Sequence, residues 1–138
     1  KVKKAAVKKT PKKATTSTKT ANSELIDLDN KGIGPVKSLE LPASIDQAMA
    51  DNGQKIFKNK CSSCHRTNKR FIGPNPTGIL KKRSPEWVMN MILNPEEMVK
   101  NDPIARQLLI QFNGSPMANQ NLTQDEARAV LEYFRTLK

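Results

Sequence analysis

At 138 residues the chain is one domain long, and most of its formal charge of +11 sits in the first 20 residues, which hold eight lysines and no acid. The other 118 residues hold 16 basic and 13 acidic side chains, so the charge balance gives no support to a basic nucleic-acid-binding face on the folded part. Hydrophobic residues make up 36% and aromatics 4%, and no run approaches the ~20 apolar residues of a membrane span.

Residues 1–23 are almost all Lys, Ala, Thr and Ser. They offer too little apolar surface to offset the entropy of ordering, so a disordered tail is predicted. No stacking aromatic or groove-reading element accompanies the lysines, and nucleic acid is not expected as a partner. The tail is read as a solvated spacer. The chain is expected to be soluble, with membrane association only through a tether on that tail. Over residues 24–43, Leu25, Ile26, Leu28, Ile33, Val36, Leu39 and Leu41 alternate loosely with polar residues, while Gly32, Gly34, Pro35 and Pro42 forbid a long helix. An extended strap packed along the domain is predicted there.

Four helices are predicted over 44–138, with no strand, so the fold class is all-α. The first starts at Ser44, with Gln47 completing a capping box, and carries Ile45, Ala48, Met49, Ile56 and Phe57 as an apolar stripe. Gly53 lies on that stripe between Met49 and Phe57, where glycine costs roughly 1 kcal/mol against alanine. Its expected benefit is close approach by another backbone. The second helix starts at Ser84-Pro85-Glu86, carries Trp87, Val88, Met91 and Ile92, and is stopped by Pro95, with Glu96 to Lys100 adding a short turn. The third starts at Asp102-Pro103, presents Ile104, Leu108 and Phe112, and ends at Asn113-Gly114. The last has Thr123 and Glu126 as a capping box and Ala127, Val130, Leu131 and Phe134 as its apolar face.

The chemistry is concentrated in Cys61-Ser62-Ser63-Cys64-His65, the pentapeptide of c-type haem attachment. Two thiols at this spacing suit the two vinyl groups of one porphyrin, and the adjacent histidine presents an imidazole nitrogen to iron. A thioredoxin-like pair would need a βαβ context that is missing. A zinc site would need a fourth ligand, and the chain has no other Cys or His. One haem c with its iron is therefore the expected cofactor.

With Gly53 and Phe57 before the pentapeptide, Gly73-Pro74 and Asn94-Pro95 after it, Ser115-Pro116-Met117, and then Val130 and Tyr133, the chain resembles a class I cytochrome c over roughly residues 44–138. The resemblance implies that the N- and C-terminal helices cross, with Gly53 and Phe57 meeting Val130 and Tyr133. It also implies that the Pro74 carbonyl accepts from the proximal His65, and that Met117 supplies the sixth ligand. Met98 and an open sixth site are the alternatives. Trp87, the sole tryptophan, is read first as core and second as an N–H donor to a haem propionate. Lys81, Lys82 and Arg83, with Lys69 and Arg70, suit an acidic partner, the propionates or plain solvation.

The function implied is one-electron carriage by a monomer in the bacterial periplasm, not enzymatic catalysis. The expected donor is a quinol-oxidising complex, and the acceptor a terminal oxidase or a reductase of nitrogen oxides. Residues 31–43 and 81–135 resemble cytochromes c of bacteria that respire oxygen or nitrogen oxides, which brings in nitrous oxide reductase as one acceptor. The competing class is a peroxidase or gas sensor with an open or labile sixth site, for which the chain has no second histidine.

Overall fold

The computed structural model describes residues 25–138, and the tail predicted over 1–23 lies outside them. Five α-helices carry the described fold: α1 (Gln47–Ile56), α2 (Pro85–Leu93), α3 (Pro95–Asn101), α4 (Pro103–Gln111) and α5 (Gln124–Thr136). Among the described residues there is no strand, only an isolated bridge between Asp27 and Arg83.

The helix starts follow local chemistry. Ser84 Oγ accepts from the Trp87 amide with Pro85 in the first turn, Asp102 accepts from the Ala105 amide ahead of Pro103, and Thr123 and Glu126 bond reciprocally. The first helix departs from expectation, because Asp46, not Ser44, is its cap and accepts from the Met49 amide at 3.0 Å. Arg135 of α5 donates to the carbonyls of Pro42, Ala43 and Ser44, which holds this stretch in a non-helical bend ahead of Asp46. The expected short turn after Pro95 is a full helix, and its Met98 is completely buried.

α1 packs across α5 at Gly53, where a Cβ would stand 1.8 Å from the Ala129 carbonyl oxygen. Two helix backbones meet there with no room for a side chain. One turn further on, the Phe57 ring lies 5.6 Å from that of Tyr133 and 5.8 Å from that of Phe134, edge-on to the latter. Buried Ala127, Val130 and Leu131 carry the α5 side of the core into α2.

Residues 25–43 hold no helix and form no ladder, so their backbone groups need other partners. α2 and the residue that caps its C-terminus supply them from Glu86, Asn90 and Asn94, spaced four apart. Glu86 accepts from the Leu39 amide and from Lys31, and Asn90 bonds the Lys31 carbonyl and both backbone groups of Val36. Asn94 donates to the Ile33 carbonyl, and the Met98 sulfur accepts from the Ile33 amide. Burial pushes the Glu86 carboxyl up, but these bonds and Lys31 outweigh it and hold it below its ordinary value.

Candidate functional site

The proximal side is built from a short stretch of chain. After α1 the backbone opens into one π-helical turn, Phe57–Cys61, whose last residue is the first cysteine. The amides of Cys64 and His65 both donate to the Cys61 carbonyl, so the pentapeptide closes as a tight turn. The sulfur atoms are free, Cys61 buried and Cys64 exposed. Burial, and then the neighbouring Cys64, push the Cys61 thiol up to about 11.

His65 is fixed by the Gly73-Pro74 turn. Its Nδ1 lies 2.8 Å from the Pro74 carbonyl oxygen. A carbonyl only accepts, so Nδ1 carries the proton and Nε2 is left as the basic nitrogen for a metal. Gly73 donates its amide to the Cys64 carbonyl at 2.7 Å and lies flat against the ring. A Cβ on Gly73 would meet His65 Cε1 at 2.6 Å and Nδ1 at 2.9 Å.

His65 opens onto a cleft of about 700 Å³ lined also by Cys61, Cys64, Gly73, Pro74, Trp87 and, opposite the turn, residues of α4 and the segment after it. Ala105, Leu108, Leu109 and Phe112 form a mostly apolar wall, and Ser115, Pro116, Met117 and Ala118 continue it without regular secondary structure. The charged side chains lining it are Lys60, Arg70, Lys82 and Arg83, all basic. Arg70 stacks 3.9 Å from the Phe112 ring centre and donates to the Gln111 carbonyl, which pins the loop after the pentapeptide to the end of α4.

The structure thus brings Cys61, Cys64, His65, Pro74 and Met117 to one cleft. Three sequence expectations change. Trp87 lines the cleft, but its indole N–H is given to Asp102 Oδ2 at 2.9 Å and is not available to a propionate in this arrangement. Met98 lies in the core with its sulfur occupied by the Ile33 amide, and is no ligand candidate. Met91, read as helix packing, lines the cleft as well. The sequence makes Asp102 the cap of the third helix and nothing more; the structure adds its bond to Trp87 on the cleft.

The chain matches the family model described as cytochrome c over residues 50–138. It belongs to the cytochrome c family. A cytochrome c from Rhodothermus marinus is 41% identical, with a TM-score of 0.71 over 74% of this chain and 87% of that one. An engineered form of that cytochrome, bound to a carbene intermediate, is 40% identical with a TM-score of 0.68 over 74% and 88%. The cytochrome c domain of a Pseudomonas putida protein is 31% identical, with a TM-score of 0.56 over 60% and 84%. No curated protein matches significantly.

This cytochrome carries a covalently attached c-type haem with its iron, in an all-α class I fold, and is a haem-based electron carrier. The residues present fit that group: two free thiols, an imidazole with one nitrogen committed, a glycine that leaves room for the ring, and an apolar cleft beside them. Family membership points to a setting outside the cytoplasm, periplasmic in bacteria. Among the described residues no helix is long and apolar enough to cross a membrane.

Proposed function

We propose that this cytochrome shuttles single electrons between respiratory complexes in the periplasm, with Cys61 and Cys64 as the haem thioethers and His65 and Met117 as the axial ligands. The observation that carries the reading is the commitment of His65 Nδ1 to Pro74, which reserves Nε2 for iron on a cleft that Met117 also lines. Cys61 and Cys64 would hold the haem covalently through their sulfur atoms, and His65 and Met117 would ligate its iron. Bound, the haem supplies a one-electron couple. The chain fixes the imidazole through Pro74 and Gly73 and excludes water with the α4 wall. The Met117 thioether, a soft and weak donor, would favour the ferrous state of the bound iron.

Met91 is the rival sulfur on the same cleft, but it is anchored within α2, whereas Met117 sits on an irregular segment free to adjust to the metal. The exposed basic side chains at the cleft, Lys60 and Arg70, suit acidic redox partners, for which a quinol-oxidising donor and an oxidase or nitrogen-oxide reductase acceptor are the reading. Encounter is then fast at low salt and slows as salt rises. The test is the optical spectrum and midpoint potential of the oxidised holoprotein in Met117→Ala and Met91→Ala. Met117→Ala is expected to lose the far-red sulfur-to-iron band and to fall in potential, while Met91→Ala keeps both. An unchanged spectrum in Met117→Ala rules Met117 out as ligand.

A further inference from the structure

Asp102 is 3% exposed and receives three N–H donors, none of them charged. Asn30 Nδ2 bonds Oδ1 at 2.7 Å, while Trp87 Nε1 and the Ala105 amide each bond Oδ2 at 2.9 Å. The donors come from the strap, from α2 and from the first turn of α4. Two of them, Trp87 and Ala105, belong to residues that line the haem cleft. A residue that only capped α4 would need the Ala105 amide alone. Burying a carboxylate is costly where uncharged residues of similar shape would serve, and among the described residues the ion pairs fall on Glu86 and Glu132 instead.

We propose that Asp102 is a positioning residue of the haem site: it holds the strap, Trp87 and α4 in register along the cleft, and its negative charge behind that wall favours ferric over ferrous iron. The charge enters because ferric haem carries one more positive charge, and interactions across a dry wall are screened less than in water. The proposal rests on the electron-carrier reading, not on the choice of Met117 as ligand.

The test uses the intact holoprotein and reads midpoint potential and amide exchange. Asp102→Asn keeps an oxygen for Trp87 and Ala105 and removes the charge. It is expected to shift the reduction equilibrium toward ferrous at least threefold, about 28 mV at 59 mV per tenfold for one electron. It also loses the acceptor facing Asn30, so the Gly32, Ile33 and Val36 amides should exchange at least threefold faster. Trp87→Phe removes one donor from the carboxylate, which shifts the potential downward, and that shift should vanish in the Asp102→Asn background. A potential unmoved in Asp102→Asn, or a Trp87→Phe effect that simply adds, overturns the proposal. Should Asp102→Asn not fold, Asn30→Ala leaves the cap and the Trp87 bond in place. Lower potential and faster strap exchange there support the assignment, and no change in either overturns it. An unaltered Met117→Ala spectrum sinks the ligand reading alone and leaves these shifts standing.

Discussion

Replacing Gly53 with alanine sets a small gain against a large loss. The gain is helix propensity, ~1 kcal/mol for alanine over glycine inside a helix. The loss is steric: the new Cβ would stand 1.8 Å from the Ala129 carbonyl oxygen, 2.4 Å from its carbon and 2.9 Å from the Val130 nitrogen. All three are backbone atoms of α5, so no side chain swings aside, and the helices must part by more than an ångström. Parting them pulls Phe57 off Tyr133 and Phe134 and loosens the packing around Ala50, Val130 and Leu131. Overpacking alone costs typically ~1–3 kcal/mol, and the lost contacts place Gly53→Ala at the upper end or beyond. After the propensity gain, a net loss of about 3 kcal/mol is expected, or roughly 10–20 °C in Tm for a domain of this size. The assay is thermal and guanidinium unfolding of the oxidised holoprotein followed by circular dichroism. Asn52→Ala, at the exposed neighbouring position, is the control and should be neutral or stabilising by about 0.5 kcal/mol. A Gly53→Ala protein as stable as the wild type would refute the reading that two backbones touch at this glycine.

Two further outcomes follow from single contacts. Gly73→Ala drives a methyl group to 2.6 Å from His65 Cε1, so the ring must leave the Pro74 carbonyl; the purified protein should hold less haem per chain and show a shifted Soret band, and unchanged content and spectrum would exclude the cradle. Burial pushes the Glu132 carboxyl up from 4.5, but the Asp46 amide, Arg128 and Arg135 outweigh it and hold it lower, so its contribution to stability is complete above about pH 4.5 and fades as pH falls through the depressed value. Glu132→Gln should therefore be less stable than wild type near neutrality and lose less on acidification toward pH 3, measured by guanidinium unfolding across that range; parallel pH profiles would contradict the assignment.

The helix caps and the haem motif were legible because each is written within a few adjacent residues. Ser84, Asp102 and Thr123 need only their own third neighbour to cap, and all three stand where the sequence put them. The start of α1 was misplaced because Ser44 is capable of capping but its carbonyl is bonded by Arg135, 91 residues away. The burial of Met98 is not written locally, because its neighbours Glu96, Glu97 and Lys100 are charged and the strap that covers it comes from far along the chain. Glu86, Asn90 and Asn94 gave the period of a solvated helix face. Nothing local distinguishes such a face from one that serves as the hydrogen-bonding partner of an irregular strap. For Trp87 the sequence leaves core and propionate open, because the carboxylate that takes its N–H lies fifteen residues on, at the cap of a separate helix.

The same contrast separates the two sides of the haem cleft. The contacts that set the imidazole are sequence-local: the Cys61 turn, the Gly73 amide on Cys64 and the Pro74 carbonyl on His65 all fall within fourteen residues. A stretch that closes on itself specifies its own geometry, with little loop entropy to overcome. The distal side has no such autonomy. Its wall is α4, the methionine proposed as ligand follows on a segment without regular structure, and the start of that wall is fixed through Asp102 to Trp87 and to Asn30, 72 residues earlier. Asp102 is therefore one route by which changes in the strap reach the distal wall while leaving the imidazole undisturbed. A substitution such as Asn30→Ala, far from iron in sequence, should move the potential without altering the proximal ligand, whereas no substitution confined to residues 61–74 should alter strap exchange unless it unfolds the domain.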